Sequence, residues 1–283
     1  MSTDELPLLC ALHARDCLEY MREQDDDTFD LVFGSPPYES ARSYGIGFSL
    51  SGQDWVDWMV ECVVEASRIC RGLVAVVVEG RTRNFRWSAT PALLMADLHR
   101  AGIRLRRPVI FHRVGIPGSG GPDWLRADTE FVVCCSKGRL PWSDNTAMGH
   151  PPKHAPGGAL SHWKTATSGY SGGDTRVKRV YYTPPAKANP GDFLSLSVGG
   201  SKMGHPLAHE NEAPFPSRLA EFFIRSFCPP DGLVLDPWCG SGTTCAVAAQ
   251  CGRRFVGVDV RESQIELTER RLCSKEPEAL AIS

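Results

Sequence analysis

The fold is decided by residues 233–244, Leu233-Val-Leu-Asp-Pro-Trp-Cys-Gly-Ser-Gly-Thr-Thr244. The apolar run at the start is typical of a buried strand, and it leads directly into a turn that contains two glycines. Gly240 and Gly242 allow the backbone to turn tightly and to approach a ligand closely. Because ligands of open α/β sheets bind beyond the carboxyl ends of the strands, the pattern predicts a nucleotide-like ligand at this turn.

The turn differs from two other glycine-rich loops that bind nucleotides. Thr-Thr-Cys follows Gly242, so the GxGxxG fingerprint of dinucleotide-binding proteins is not completed, and no lysine follows to make a phosphate-binding P-loop. Asp259 comes 17 residues after Gly242, at the end of the next predicted strand, where an acid can accept hydrogen bonds from ribose hydroxyls. Loop and acid together predict an adenosine ligand without a pyrophosphate, which disfavours a nicotinamide-dependent dehydrogenase.

Apolar runs and amphipathic segments alternate on both sides of this stretch. The predicted strands are residues 29–33, 73–78, 108–113, 130–135, 233–235 and 255–258, and the predicted helices are residues 54–71, 91–101, 216–227, 243–251 and 261–272. Gly72 is predicted to end the helix before it, and Thr90 is predicted to cap the next one. Strands that alternate with helices predict an α/β, Rossmann-like fold, with a mainly parallel sheet and helices on both faces.

Residues 137–208 interrupt this alternation. They are rich in Gly, Pro and Ser and carry a net charge of +6, whereas the rest of the chain sums to −8. A basic segment in an otherwise acidic chain is typical of a polyanion-binding surface, and a solvated loop region is the alternative. The interspersed aromatic residues favour a small ordered insert over disorder. We therefore expect three parts, residues 1–136, 137–208 and 209–283, with the middle part inserted into one α/β domain.

A second motif, Gly34-Ser-Pro-Pro-Tyr38, follows the predicted strand at residues 29–33. Two consecutive prolines stiffen the backbone and remove two N–H donors. The segment offers a hydroxyl group, outward carbonyl groups and an aromatic ring, which suit the binding of a planar base. A plain Pro-Pro turn is the alternative interpretation of these five residues alone.

Together, the two motifs resemble those of the DNA amino-methyltransferases. Ser35-Pro-Pro-Tyr38 is similar to the catalytic motif of that family, and Asp236-Pro-Trp-Cys-Gly-Ser-Gly-Thr-Thr244 is similar to its cofactor loop, in which Phe is more usual than Trp238. The catalytic motif comes first in the chain, which is the permuted order of the β class. The resemblance covers roughly residues 10–135 and 209–272 and places the basic insert where the family has its target-recognition region.

The resemblance implies the fold of the S-adenosylmethionine-dependent methyltransferases, with S-adenosyl-L-methionine as cofactor, no metal, and double-stranded DNA as partner. The implied catalytic residues are Ser35, Pro36, Pro37 and Tyr38. The implied cofactor-binding residues are Asp16, Cys17, Phe215, Pro216, Ser217, Asp236, Pro237, Cys239, Gly240, Ser241, Gly242, Thr243, Thr244 and Asp259. The family usually has Gly before the first of these, where this chain has Arg15.

The implied reaction is site-specific methylation of an exocyclic amine on a base that is flipped out of the DNA duplex. Ser35 in the first motif position resembles the N4-cytosine enzymes, so we expect N4-cytosine, with N6-adenine as the alternative. Methylation at cytosine C5 needs a cysteine nucleophile in a Pro-Cys dipeptide, which this chain lacks. An RNA or small-molecule methyltransferase would share the cofactor loop, and the basic insert favours a nucleic acid. A non-catalytic binding module would not need that loop.

The remaining features concern phosphate contacts, metals and location. Some of eight arginines are expected to contact phosphates, namely Arg81, Arg83, Arg86, Arg100, Arg104, Arg106, Arg107 and Arg113. The eleven cysteines contain no CxxC pair and are expected to be reduced packing residues. No apolar run is long enough to span a membrane, and the first residues lack a signal-peptide core, so a cytoplasmic enzyme is expected. A cognate restriction endonuclease is a further candidate partner, and the chain could be a monomer or a dimer.

Overall fold

The computed structural model describes residues 10–39, 47–116, 123–152, 160–163, 179–182, 186–198, 203–211, 213–274, 276–278 and 280. The chain divides into two compact units, of which the larger spans residues 1–144 and 191–283 and the smaller spans residues 145–190. Among the residues that the structure describes, no helix is long and apolar enough to cross a membrane.

The larger unit is built on an eight-stranded sheet. Its strands are β1 (Ala11–Ala14), β2 (Phe29–Gly34), β3 (Cys70–Val78), β6 (Val109–Val114), β7 (Thr129–Cys135), β10 (Phe193–Ser197), β11 (Leu233–Asp236) and β12 (Arg254–Asp259). A short hairpin, β4 (Thr82–Arg83) and β5 (Arg86–Trp87), stands apart from this sheet. The smaller unit contains an antiparallel pair, β8 (Leu160–Trp163) and β9 (Arg179–Tyr182).

Six α-helices accompany the sheet in the described part of the larger unit. They are α1 (Cys17–Arg22), α2 (Gly52–Ile69), α3 (Thr90–Arg100), α4 (Ser217–Phe227), α5 (Thr243–Gln250) and α6 (Glu262–Leu272). A short 3-10 helix, Pro206–Glu210, precedes α4.

The order of strands across the sheet is β1-β12-β11-β2-β3-β7-β6-β10. Among these eight strands, β7 alone runs antiparallel to its neighbours β3 and β6. The other strands therefore end at the same edge of the sheet, which we call the carboxyl edge. This confirms the predicted α/β fold with a mainly parallel sheet.

The two central strands come from opposite ends of the chain. β11 pairs with β2 in parallel, and Val234 and Leu235 lie opposite Leu31 and Val32. Every residue of both strands is buried, as their continuous apolar runs predict for parallel strands covered on both faces. Consequently the segments that follow β2 and β11 lie next to each other at the carboxyl edge.

Helices cover both faces of the sheet. On one face, Val32 belongs to a buried cluster with residues of α1, α2 and α3. On the other face, the ring of Phe33 stacks on Phe223 of α4, with 4.8 Å between ring centroids. Adjacent residues of β2 thus point to opposite layers, which is the alternation that a strand imposes.

Two predicted helix boundaries are wrong because tertiary contacts determine them. The helix predicted to run to Arg71 ends at Ile69, and Gly72 lies inside β3. A Cβ at Gly72 would lie 1.9 Å from the carbonyl oxygen of Asp30, so the glycine permits close strand pairing. Thr90 is the first residue of α3 and not its cap, which is Ala89 in a left-handed conformation.

The predicted insert at residues 137–208 extends beyond the smaller unit at both of its ends. Residues 137–144 and 191–208 belong to the larger unit, where Phe193–Ser197 form β10 beside β6. Most of the basic residues in the predicted insert lie outside the described residues. Its role in target recognition stays a prediction.

The carboxyl edge is closely packed where β2 meets β11. A Cβ at Gly34, the last residue of β2, would lie 2.3 Å from Oδ1 of Asp236, the last residue of β11. This distance is far below van der Waals contact, so only glycine allows the Asp236 carboxyl group to occupy this position.

We predict that Gly34→Ala destabilises the protein by about 1–3 kcal/mol, since the added methyl group overpacks a buried contact. Gly138→Ala is the matched control, because a Cβ there meets its nearest atom only at 3.7 Å, and it should change stability by less than about 0.5 kcal/mol. Urea unfolding of both variants tests this. Equal stabilities would contradict it.

Candidate active site

A cavity of about 420 Å³ opens at the carboxyl edge of the sheet. The predicted site residues that line it are Asp16, Cys17, Ser35, Pro36, Pro37, Phe215, Pro237, Cys239, Gly240, Ser241, Thr243 and Asp259. The two predicted motifs therefore share one cavity, although about two hundred residues separate them in the chain.

The other predicted site residues are not part of this lining. They are Tyr38, Pro216, Ser217, Asp236, Gly242 and Thr244. Ser217 is buried and donates a hydrogen bond to the carbonyl of Met203 at 3.1 Å. Gly242 has a φ of +73°, and a Cβ there would lie 2.4 Å from Thr268. Ser217 and Gly242 therefore support the turn through packing rather than through the cavity wall.

The segment 35–38 is fixed by contacts to three different elements. The Ser35 hydroxyl donates to the carbonyl oxygen of Val77 in β3 at 3.3 Å. The indole N–H of Trp55, a fully buried residue of α2, donates to the carbonyl oxygen of Pro37 at 2.9 Å. The Tyr38 hydroxyl donates to Glu130 of β7 at 2.9 Å. The segment is therefore held in one geometry before any ligand binds.

Glu130 connects Tyr38 to a cation. Its Oε2 accepts from Tyr38, and its Oε1 lies 2.9 Å from Nη1 of Arg113 on β6. Glu130 is buried, so its charge needs this pairing. The contact fixes the position of the Tyr38 hydroxyl group relative to the sheet.

Glu39, which directly follows the motif, was not singled out by the sequence. It is only 4% exposed and accepts hydrogen bonds from the backbone N–H groups of Gly52 and Arg81, each at 3.0 Å. Burial by itself would raise the pKa of Glu39, but hydrogen bonds from Ser88, Gly52 and Arg81 outweigh it and lower the pKa. Glu39 thus stays ionised and joins the motif to the segments on either side.

Asp16 begins α1 as its N-cap. Its Oδ1 accepts from the backbone N–H groups of Leu18 at 2.8 Å and Glu19 at 3.0 Å, whereas Oδ2 takes part in neither bond. The side chain of Arg15 forms a bidentate pair with Glu23 at 2.7 and 2.8 Å. This pairing accommodates a large residue where the resembling family usually has glycine.

Asp259 supports the glycine-rich turn. Its Oδ2 accepts from the backbone N–H of Gly240 at 3.1 Å, and its Oδ1 accepts from the backbone N–H of Arg261 at 2.9 Å. Gly240 has a φ of +51°, and a Cβ there would lie 2.3 Å from Asn211. Glycine at this position allows the turn to pack between Asp259 and Asn211.

Asp236 carries a carboxyl group in an apolar setting. It is 1% exposed, and burial raises its pKa to about 7, against the opposing effect of the Thr244 hydroxyl and the Trp238 backbone N–H. Oδ1 accepts from that N–H at 3.0 Å, whereas Oδ2 has no hydrogen-bond partner among the described residues. The indole N–H of Trp238 is likewise buried without such a partner.

A buried ion pair holds the far side of the turn. Nε of Arg271, at the end of α6, lies 2.7 Å from Glu278, and Nη1 donates to the carbonyl of Ser241 at 3.0 Å and to the hydroxyl of Thr243 at 2.9 Å. Both charged side chains are almost fully buried. No local sequence signal marks this pair, because the contact depends on how the end of the chain folds back.

Three aromatic side chains outside the set of predicted site residues complete the cavity wall. Phe48 and Trp58 meet edge to face at 5.2 Å between ring centroids, and Trp58 meets Trp238 at 6.2 Å. All three line the cavity. The wall therefore offers an apolar surface opposite the polar turn.

The described residues contain neither a candidate metal site nor a disulfide. They contain no group of three His, Cys, Asp or Glu residues that could hold a metal ion. All eleven cysteines are free, and eight of them are buried. Burial raises the pKa of the Cys134 thiol to about 12, which disfavours the reactive thiolate.

The fold is that of the S-adenosylmethionine-dependent methyltransferases. PvuII DNA methyltransferase (cytosine-N4-specific) superimposes with a TM-score of 0.69 and 20% identity, over 93% of this chain and 86% of that one. The putative DNA modification methylase TTHA0409 of Thermus thermophilus, in complex with S-adenosyl-L-methionine, superimposes with a TM-score of 0.60 and 21% identity, over 95% of each chain.

The particular family follows from the sequence. The model of the N6/N4 methyltransferases, the DNA methylases, matches residues 29–270, so this chain belongs to the DNA methylase family. Family membership and the structural neighbour with S-adenosyl-L-methionine bound confirm the predicted cofactor. The base that is methylated and the role of each site residue are not decided by this membership.

Among three relatives, one has a name that states the methylated base, and the names of the other two state only the type of methyltransferase. Type II methyltransferase M.ScaI of Streptomyces caespitosus is 24% identical over 282 residues, 92% of this chain and 80% of that relative. DNA adenine methyltransferase YhdJ of Escherichia coli K12 is 23% identical over 276 residues, 91% of this chain and 80% of that relative. Type II methyltransferase M.SfiI of Streptomyces fimbriatus is 40% identical over 103 residues, which cover 36% of this chain but only 23% of that relative.

We predict that Asp236 makes stability depend on pH. Its pKa is raised in the folded state, so the folded protein holds a proton that the unfolded chain releases above about pH 4. Stability is therefore lost as the pH rises from about 4 to 7, by roughly 2–4 kcal/mol. Asp236→Asn keeps the shape and removes the charge, so its advantage over the parent should grow across this range. Parallel stability curves in the absence of cofactor would contradict the prediction.

We predict that Glu278→Gln destabilises the protein by about 3–5 kcal/mol, because it leaves the buried Arg271 charge unpaired. Glu210→Gln is the matched control. It removes the partner of the neighbouring Arg270, but that pair is half exposed and its loss should cost less than about 1 kcal/mol. Thermal unfolding at pH 7 compares the two variants. A similar cost for both would disprove a supporting role of the buried pair.

Proposed function

We propose that this protein is a site-specific DNA methyltransferase of the permuted β class that methylates the exocyclic N4 of a flipped-out cytosine. One observation carries the proposal: Ser35, Pro36 and Pro37 line the same cavity as the glycine-rich turn. A motif suited to an aminated base thus meets a turn suited to an adenosine ligand. The Ser35-Pro-Pro-Tyr38 motif comes before the turn in sequence, in agreement with the permuted class.

The cavity fits S-adenosyl-L-methionine. Asp16 and Asp259 supply carboxylates for the adenine amine and the ribose hydroxyls, and the aromatic wall supplies an apolar surface. The indole N–H of Trp238, a residue of the cavity wall, is buried and lacks a partner among the described residues. Buried polar groups of this kind are normally satisfied, and the carboxylate of the cofactor's methionine part would supply the acceptor that this N–H lacks.

The remaining cofactor contacts follow from the architecture. Cys17, Phe215, Pro237, Cys239, Gly240, Ser241 and Thr243 would contact the cofactor from the cavity wall. Pro216, Ser217, Gly242 and Thr244 would support it from behind the wall. When bound, S-adenosyl-L-methionine supplies an electrophilic methyl group on a sulfonium.

Ser35 is placed to orient the target amine. Its hydroxyl donates its proton to the carbonyl of Val77, so the oxygen lone pairs are available to accept an N–H of the base. The carbonyl of Pro36 would accept the second N–H. Two acceptors fix the orientation of the amine, so that its nitrogen lone pair points toward the methyl group of the cofactor. Such positioning is the main source of rate acceleration when no covalent catalysis is needed.

Tyr38 would stack on the flipped base. Its hydroxyl is anchored to Glu130, so the far end of the side chain is already held in place when a base arrives. Pro37, anchored through its carbonyl to Trp55, prevents the segment from moving away. A rigid stacking partner lowers the entropy cost of binding.

The assignment to N4 of cytosine rests on Ser35, with the likeness to a cytosine-N4-specific enzyme as support. N6 of adenine is the second candidate, favoured by the name of one relative, DNA adenine methyltransferase YhdJ. The cofactor cavity alone suits an RNA methyltransferase as well, but the family favours DNA. A cognate endonuclease, as the type II names of several relatives suggest, and the choice between monomer and dimer stay predictions.

Nucleoside mass spectrometry on genomic DNA from a methylation-free host that expresses the chain tests the proposal. N4-methylcytosine is the expected product. N6-methyladenine would keep the fold and the amine mechanism but overturn the choice of base. Unmodified DNA, from a host in which the folded protein binds cofactor, would overturn the proposed function.

The variant Ser35→Ala is the matched control for this experiment. We predict that it lowers the turnover number by about a hundredfold, since the amine loses one of its two acceptors, whereas cofactor affinity changes by less than about threefold. Cofactor titration and single-turnover methylation separate the two effects. A variant that loses cofactor affinity and keeps its turnover would contradict this role for Ser35.

A further inference from the structure

The hairpin β4–β5 has an unusual turn. Its two central residues, Asn84 and Phe85, both adopt left-handed conformations, with φ of 51° and 60°. Such two-residue turns strongly prefer glycine at the second position, because a side chain there is strained. Phe85 therefore adopts a backbone conformation that residues other than glycine rarely adopt.

The side chain of Phe85 is directed outward at the tip of the hairpin, where it is 82% exposed. Arg83 and Arg86 flank it and are also exposed, and neither pairs with an acid among the described residues. By contrast, the five predicted phosphate-contacting arginines between residues 100 and 113 are each held by a carboxylate or a backbone carbonyl. The hairpin thus presents an apolar ring between two unpaired positive charges.

The base of the hairpin is hydrogen-bonded to Glu39, next to the segment 35–38. Glu39, which directly follows Tyr38, accepts from the backbone N–H of Arg81 at 3.0 Å and from the hydroxyl of Ser88. These two residues flank the hairpin and bond each other through the N–H of Ser88 and the carbonyl of Arg81 at 2.9 Å. The hairpin tip is therefore held at a fixed place relative to the segment 35–38.

A second contact limits rotation of the hairpin. The indole N–H of Trp87 in β5 donates to Glu79 at 3.1 Å, and its ring lies so close to Gly80 that a Cβ there would be 2.4 Å away. Glu79 directly follows β3, at the carboxyl edge. The hairpin is thus a rigid projection from the same edge as the cavity.

We propose that this hairpin inserts Phe85 into the DNA base stack beside the target base, while Arg83 and Arg86 bind the flanking phosphates. The inference rests on the proposed function. Apolar side chains inserted between base steps unstack them, and arginine binds phosphate without regard to sequence. The inserted ring would occupy stacking space that the flipped base leaves, so that the base returns less readily to the duplex. The two unpaired arginines favour a polyanion over a protein as the occupant of this tip.

The test compares Phe85→Ala with the parent on two duplexes that carry the recognition site, once sequencing of methylated DNA has mapped it. One duplex is fully paired, and the other has an abasic site opposite the target base. On the paired duplex the variant should lose about tenfold to a hundredfold in kcat/KM. On the abasic duplex, where the target base is already unpaired, the loss should be less than about threefold.

Two control variants exclude general damage. Phe85→Leu keeps an apolar wedge and should retain most of the activity. Val64→Ala shortens an apolar side chain that is 37% exposed but belongs to α2, six residues before β3 begins, and should leave both rates unchanged. For the arginines, Arg83→Ala should reduce by about one the slope of log affinity against log salt. Arg22→Ala removes an exposed arginine that pairs with Glu61 and is not among the candidate phosphate contacts, and it should leave the slope unchanged.

The outcomes separate this inference from the proposed function. An active parent with an equally active Phe85→Ala variant overturns the insertion and would leave the tip as a contact for a protein. The same loss on both duplexes also overturns it, because insertion predicts rescue by the abasic site. Host DNA that stays unmethylated, so that no recognition site can be mapped, overturns the proposed function and this inference with it.

Discussion

The parallel pairing of β2 with β11 is the constraint on which the rest of the structure depends. It places two segments from opposite ends of the chain side by side, and it is so close at the carboxyl edge that Gly34 has no room for a side chain beside Asp236. The Ser-Pro-Pro segment that follows β2 and the glycine-rich turn that follows β11 emerge from these strands into one cavity. Their order along the chain is irrelevant to the chemistry, because the sheet fixes their positions in space.

The site places several carboxyl groups near one another under different physical conditions. Asp259 accepts two backbone N–H groups, and Glu278 is paired with Arg271. Asp236 has one such bond and a raised pKa. The two paired groups organise the turn, whereas the buried and partly satisfied carboxyl group of Asp236 lowers the stability of the folded protein. A cofactor that binds only the folded chain would offset that cost, so part of the stability of the enzyme is expected to depend on its cofactor.

The sequence predicted what depends on local pattern. The apolar runs of β2 and β11, the glycine turn and the Ser-Pro-Pro-Tyr motif were recognisable because their residues are neighbours in the chain. The predicted end of α2 was wrong because Gly72 permits close strand packing and does not terminate a helix. The hairpin was missed because Phe85 occupies a turn position at which glycine is the usual signal. Glu39 was missed because its partner Arg81 is distant in sequence. Arg271 was missed because its pairing with Glu278, seven residues away, follows the spacing of neither a helix nor a strand.

The smaller unit, residues 145–190, is joined to the larger one at both ends. Before it, the backbone N–H of Asp144 is bonded to the carbonyl of Ser226, and after it the chain enters β10, which pairs only at the outer edge of the sheet beside β6. A segment attached in this way can lengthen, shorten or be exchanged without shifting the register of any central strand. The fold therefore allows the methyl-transfer machinery to stay constant in evolution while the inserted segment diverges.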